Sequence, residues 1–167
     1  MISGPPLRLV LIRHGRKADI AAADPDVPLD PAGFAAVEAL ASALRDVNPG
    51  LILSSRWLHA SQTAKRLAAS LGAPCIEVTG LTPFTAKDSF TPRAICREAH
   101  ASGLPLGGVR AVALVGHHAR VSNLASRLCG GLEIRELEYL EGVKISASSL
   151  RALLRDQAVL DGFVKAT

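Results

Sequence analysis

The chain has 167 residues, 49% of them apolar and 20% charged, which is enough to bury one sizeable core and too apolar for a disordered polypeptide. Its net charge is +4, but the cations are scattered and aromatics make up only 4%, so the composition argues against a nucleic-acid surface and favours an anionic small molecule or phosphoryl group. Three cysteines without a C-x-x-C pair and an amino-terminal apolar run too short for a leader predict a cytoplasmic protein with no membrane partner, a single domain over residues 1–167.

Residues 7–12, LRLVLI, form a short apolar run suited to a strand buried on both faces. Residues 16–29 are polar, contain proline and read as a loop. A helix then starts with Asp30 as its N-cap and Pro31 at its first position, and Asn48-Pro49-Gly50 ends it. Residues 51–55, LILSS, give a second buried strand. A helix from about Trp57 to Leu71 follows, with Gly72 as its natural stop. CIEV at 75–78 is a third strand, 79–91 an irregular loop, and TPRAICREAHAS a short helix introduced by Pro92. RAVALVG at 110–116 is the most apolar strand and leads into a helix over 119–129 that Gly130-Gly131 closes. Residues 132–167 are the least legible part, with a strand near 142–147 and a helix near 149–157. Strands alternating with helices of this length predict a three-layer α/β/α sandwich around a mostly parallel sheet.

Two of these strands end in histidine. LVLIRHG places Arg13, His14 and Gly15 after the first, and ALVGHHAR places His117 after the fourth. In a doubly wound sheet the site lies beyond the carboxyl ends of the strands, so the two imidazoles are expected to face each other. A neutral imidazole attacks phosphorus and carries the phosphoryl group covalently. A guanidinium such as Arg13 binds two phosphate oxygens, and Gly15 lets backbone N–H groups come close. The crowd of cations around His14, from Arg8 to Lys17, then has an anion to hold.

These motifs resemble the histidine phosphatase, or phosphoglycerate-mutase-like, superfamily. Its Arg-His-Gly after the first strand matches Arg13-His14-Gly15. PLDPAGFAAVEALA at 28–41 is similar to the family's first helix, SSRWLHASQTAKRLA to its S-P-x-x-R-A-x-Q-T-A segment, and LVGHHARVSNLA at 114–125 to its LVGHNPxLSxLA. The short length, with LTP at 81–83, looks most like the SixA-type phosphohistidine phosphatases. The resemblance implies a phosphoglycerate-mutase-like fold and a phosphatase that works through a phosphohistidine intermediate. Its substrate would be protein phosphohistidine or a small phosphomonoester, with no metal and no organic cofactor. His14 would be the nucleophile, and Arg13 and His117 would bind and polarise the phosphoryl oxygens.

The chain also departs from that pattern. The family's second phosphate-clamping arginine belongs where His59 stands, and its usual proline is Arg56. Either the clamp is broken and Arg56 is a surface cation, or Arg56 swings into the pocket, or His59, protonated by the adjacent dianion, does part of the arginine's job. The Glu that many members carry before the following Leu is Gly80, and the Glu often found after Arg-His-Gly is Arg16. Asp19, Asp24, Asp26 and Asp88 read as turn residues rather than acids for catalysis. An imidazole leaving group needs less proton donation than an alkoxide, which suits a phosphohistidine substrate. The alternative is a catalytically weakened relative that binds phosphorylated ligands or partners without turnover. His117-His118 lacks an accompanying carboxylate or Cys at metal-ligand spacing, so no metal site is expected there.

Overall fold

The computed structural model describes residues 6–84, 91–103 and 108–167. The first apolar run becomes strand β1 (Leu7–Arg13), one residue longer than its pattern suggests. Asp30 caps helix α1 (Pro31–Ala43) by accepting from the Gly33 N–H at 2.6 Å, with Pro31 at the position where a missing N–H costs nothing. The helix stops five residues before Asn48-Pro49-Gly50, and 44–47 continue as turns. Strand β2 (Leu51–Ser54) follows, then helix α2 (Leu58–Leu71), closed by Gly72 in the left-handed conformation at φ 67°. Next come β3 (Cys75–Glu77), a 3-10 turn over Thr79–Leu81, and α3 (Pro92–Ala101). Strand β4 (Ala111–Gly116) feeds α4 (His118–Leu128), and the chain ends in β5 (Glu141–Ala147), a single helical turn α5 (Leu150–Leu153) and β6 (Val159–Lys165).

The strands form one sheet in the order β3-β2-β4-β1-β5-β6. The pairs β3–β2, β2–β4 and β4–β1 are parallel, and β5 is antiparallel to both β1 and β6. The sheet is thus mostly parallel, as expected, with one reversed strand on its carboxyl-terminal side. Alternation along β1 feeds both faces. Leu9 and Leu11 join a core with Ile95 of α3 and Leu124 of α4, while Val10 and Ile12 join a second core with Leu40 of α1 and Leu67 of α2. Each of these leucines, once fully buried, contributes about 1.5–3 kcal/mol of transfer free energy, which is what pins two helices to each face. The three-layer α/β/α arrangement and its crossovers follow.

The register matters most for the site. Arg13 pairs with Gly116 across β1 and β4, and the His14 N–H donates to the Gly116 carbonyl at 2.9 Å. The next residue along each strand is a histidine, so the sheet itself sets His14 beside His117.

Candidate active site

His14 is 5% exposed and His59 1%, and their ring centroids lie 4.3 Å apart. The His117 ring is 5.0 Å from that of His14 and 5.3 Å from that of His59. Three imidazoles therefore face one another across the ends of β1 and β4 and the first turn of α2. One ring nitrogen of each lies within 4.8 Å of the others.

Hydrogen bonds fix two of the tautomers. His14 Nδ1 is 2.8 Å from the Gly15 carbonyl, and His59 Nδ1 is 2.9 Å from the Val27 carbonyl. A carbonyl oxygen only accepts, so both Nδ1 atoms carry the proton and both Nε2 atoms carry the lone pair. His117 Nε2 lies 2.9 Å from the Ser55 hydroxyl, a group able to donate or accept.

Burial sets the protonation state. It pushes His14 down to about 3, helped by repulsion from His59, Arg13 and Lys17 and opposed by the Gly15 carbonyl. It pushes His117 down to about 2, with His14, His59, Arg120 and Lys17 adding to the effect. Burial also lowers His59, against the pull of the Val27 carbonyl and with the help of Lys17. In the unliganded protein all three are neutral imidazoles at ordinary pH. The expectation that a protonated His59 substitutes for arginine therefore needs a bound anion to charge it.

Arg13 stands beside this cluster. One of its terminal nitrogens donates to the Leu137 carbonyl at 2.9 Å, and its guanidinium carbon stacks 3.9 Å from the centre of the Tyr139 ring, itself 5.6 Å from the His14 ring. Its Nε is buried and has no hydrogen-bond partner. A charged donor left without an acceptor is costly, and such a group marks a place where an acceptor binds.

Two of the expected phosphate ligands are turned elsewhere. The Arg56 guanidinium is exposed and bonds Glu98 at 3.2 Å. Glu98 is held in turn by the backbone N–H of Thr79 at 2.7 Å. Burial pulls the Glu98 carboxyl upward, but the Thr79 and Gly80 bonds and Arg56 hold it below its ordinary value, so it is a carboxylate clasp and not a proton donor. Arg56 thus ties the start of α2 to α3 instead of swinging into the pocket. The Gly15 N–H donates to the Thr63 hydroxyl at 3.0 Å, and a Cβ at Gly15 would meet Leu29 at 3.0 Å. A side chain there would press on the end of Leu29, and the Gly15 N–H serves Thr63 rather than an anion.

The remaining loop groups settle into structural roles. Arg16 pairs with the α1 cap Asp30. Asp19 accepts from the Ala21 N–H at 3.0 Å and Asp24 from that of Asp26 at 2.8 Å, as turn residues do. Asp88 lies outside the described residues. His118 meets Glu136 at 2.9 Å.

Several site residues had no sequence signal strong enough to single them out. Trp57, the N-cap of α2, sets its ring 5.0 Å from His117. Ser55 holds His117, and Tyr139 stacks on Arg13. Arg120 adds positive potential at His117, beside Lys17, one of the cations that crowd His14 in the sequence. The segment carrying Tyr139 returns to the site because the Leu140 N–H bonds the Arg13 carbonyl at 3.2 Å and because Arg135 clasps the buried Glu141. Only a lone Tyr in a polar stretch hinted at it.

A separate cavity among the described residues lies away from the histidines. It has a volume of about 340 Å³ and is lined by aliphatic residues such as Leu9, Leu51, Ile95 and Leu124. Cys96, Arg110, Ser148 and Ser149 also line it, but it lies apart from the three imidazoles. No helix among the described residues is long and apolar enough to cross a membrane.

A mostly parallel α/β sheet thus brings paired histidines and a guanidinium with one unpartnered nitrogen together at its strand ends. Residues 9–86 match the family model of the histidine phosphatase superfamily (branch 1). No curated protein matches the sequence. Among solved structures, the chain is similar to the protein histidine phosphatase SixA in complex with tungstate. That match has 21% identity and a TM-score of 0.74, and covers 96% of this chain and 97% of the other. It is also similar to a putative phosphohistidine phosphatase SixA from Nakamurella multipartitia, at 18% identity and TM-score 0.68, with 98% of each chain covered. A mycobacterial glucosyl-3-phosphoglycerate phosphatase in complex with inorganic phosphate matches at 20% identity and TM-score 0.67, covering 96% of this chain and 97% of that one. These likenesses establish the phosphoglycerate-mutase-like fold.

Proposed function

We propose that the protein is a phosphatase in which His14 attacks phosphorus and carries the phosphoryl group. The observation that carries this reading is the His14 tautomer. Its Nδ1–H is spent on the Gly15 carbonyl, which leaves Nε2 a neutral, nucleophilic lone pair in the pocket. In the first step a bond forms from Nε2 to phosphorus as the bond to the leaving group breaks. In the second, water attacks phosphorus and returns the imidazole and inorganic phosphate. Arg13, through its unsatisfied Nε, and His117 hold the phosphoryl oxygens. Helices α2 and α4 both begin at the pocket without side-chain caps, so their N–H groups add favourable potential for an anion. None of these steps requires a metal or a cofactor.

The substrate we infer is a phosphohistidine, borne by a protein. Gly80 stands where a general acid would be, and none of the groups that perturb His14 or His117 is a carboxylate. An alkyl phosphate expels an alkoxide and needs that proton from the enzyme, whereas a phosphohistidine protonated on its other ring nitrogen leaves as a neutral imidazole and needs less help. The phosphatases named among the structural matches, SixA proteins included, are consistent with it. The test compares a phosphohistidine-bearing protein, an aryl phosphate and an alkyl phosphate as substrates, with and without a chelator. Preferred turnover of the phosphohistidine, unaffected by chelator and lost in His14→Asn, is expected. Phosphate binding without turnover of any of the three would instead establish a non-catalytic phosphate-binding relative.

A further inference from the structure

The position that breaks the family pattern creates something an arginine there would not. His59 completes a ring of three nitrogen ligands with His14 and His117, each nitrogen within 4.8 Å of the others. We propose that His14, His59 and His117 bind a single Zn2+ ion, or a similar borderline transition cation, and that the loaded site withholds His14 from phosphoryl transfer. The second half rests on the phosphatase reading above, and the first does not.

Geometry comes first. Zinc takes imidazole nitrogens at about 2.0–2.1 Å in a tetrahedral arrangement, which sets the nitrogens roughly 3.3 Å apart. The three nitrogens, within 4.8 Å of one another, draw together to that spacing when the ion binds. Tautomers come second. The Nδ1–H groups of His14 and His59 donate to the carbonyls of Gly15 and Val27, which is the outer-shell arrangement that orients zinc-bound histidines. Each Nε2 then offers its lone pair. When the Ser55 hydroxyl accepts from His117 Nε2, the third lone pair is on Nδ1.

The donor set also selects the ion. Three imidazoles without a carboxylate suit zinc, copper or nickel and not magnesium or calcium. Arg13, Lys17 and Arg120 weigh against a cation in this pocket. Three protein ligands leave the fourth position open, and an anion bound there, hydroxide or phosphate, offsets that repulsion. A metal on His14 Nε2 occupies the electron pair that phosphoryl transfer uses, so zinc acts as a reversible inhibitor.

The experiment uses the full chain freed of any affinity tag and of metal. Co2+ is titrated and followed by the strong visible bands of a four-coordinate ion, and Zn2+ is titrated by calorimetry. One ion per chain is expected, with Zn2+ affinity falling at least about a hundredfold in both His59→Arg and His59→Gln. Folding of each variant is checked by circular dichroism, and the second serves if the first does not fold. Absence of a four-coordinate spectrum, or an ion that stays bound when His59 and His14 are each replaced, overturns the site. Activity on the preferred phosphorylated substrate should fall in proportion to zinc loading and return with chelator. Unchanged turnover at full zinc loading overturns the inhibition and leaves the site. If the metal-free chain turns over no phosphorylated substrate, the phosphatase reading fails while the Co2+ spectrum still decides the site.

Discussion

The end of β1 and the start of α2 meet at one pocket, yet they solve the problem of holding an anion differently. At β1 the strand register fixes everything: Arg13 opposes Gly116, so His14 falls beside His117 and the guanidinium lies against Tyr139 with a buried donor to spare. At α2 the cation has left. Arg56 is 57% exposed at its side chain and paired with Glu98, while His59, 1% exposed, takes the inner position. A strand end inside a parallel sheet has little freedom. Arg56 precedes the N-cap Trp57 and so lies outside α2, which leaves its direction independent of the helix face that carries His59. The difference teaches that charge in this pocket is concentrated on the β1 side, and that the α2 side contributes shape, a helix terminus and a neutral ring.

That contrast is sharpest at the nucleophile. His14→Asn removes the attacking nitrogen while roughly keeping the volume of a buried side chain, and turnover should fall on the order of 10⁴-fold or more. Steady-state rates on the preferred substrate, with chelator present, measure it. Activity retained within tenfold would take the chemistry away from β1.

A second effect tests how deeply the histidines are held. Unfolded histidines titrate near 6.5, while burial first and neighbouring histidines second hold His14 at about 3 and His117 at about 2 in the folded chain. Between those values the unfolded state binds more protons. Stability is therefore fully present above about pH 6.5 and is lost as pH falls below it, by at most about 1.4 kcal/mol per pH unit for each group. Denaturant unfolding of metal-free protein at pH 7.5 and pH 5 should show this loss, and His117→Asn should reduce it. The window lies above the carboxylate range, so histidines dominate it. A wild-type stability flat across it would contradict the burial of neutral rings.

Arg13→Ala should weaken phosphate binding about tenfold to a hundredfold, the range for a lost charge-assisted contact of about 1.5–3 kcal/mol. Arg56→Ala, measured by the same phosphate titration, should change affinity less than about threefold, since an exposed pair of this kind is worth about 0–1 kcal/mol. If the two results exchange places, Arg56 swings inward on binding and α2, not β1, holds the clamp.

Much of this was legible in the residues, for reasons that can be named. β1 and β4 are short apolar runs ending in polar residues, and two such runs at the centre of a parallel sheet bring their ends together by topology alone. Asp30-Pro31 and Gly72 marked helix ends through capping chemistry that acts locally. Strand β6 was not anticipated. Its sequence VLDGFVK has a Gly at φ 137° and an Asp, it lies at the sheet edge, and its pairing with β5 shifts register between Lys144 and Ile145. Helix α5 is one turn, where apolar spacing suggested a longer helix near 149–157. α1 ends at Ala43, and Leu44 and Val47 are buried on the turns that follow. At the site, the missing information was long-range. No pattern within α2 says that Arg56 finds Glu98, 42 residues on. Nothing near Tyr139 says that it stacks on Arg13, which β5 brings alongside from 126 positions away.

The central claim is that His14 Nε2 becomes covalently phosphorylated during turnover. The direct test is to mix enzyme with the preferred phosphorylated substrate, quench within one turnover in alkali, and map the phosphorylated peptide by mass spectrometry. The account predicts a single phosphoryl group on the peptide containing Arg13-His14-Gly15, stable in base, labile in acid and absent from His14→Asn. Efficient turnover with no phosphoryl group on that peptide, or with one on His59 or His117 instead, would contradict it.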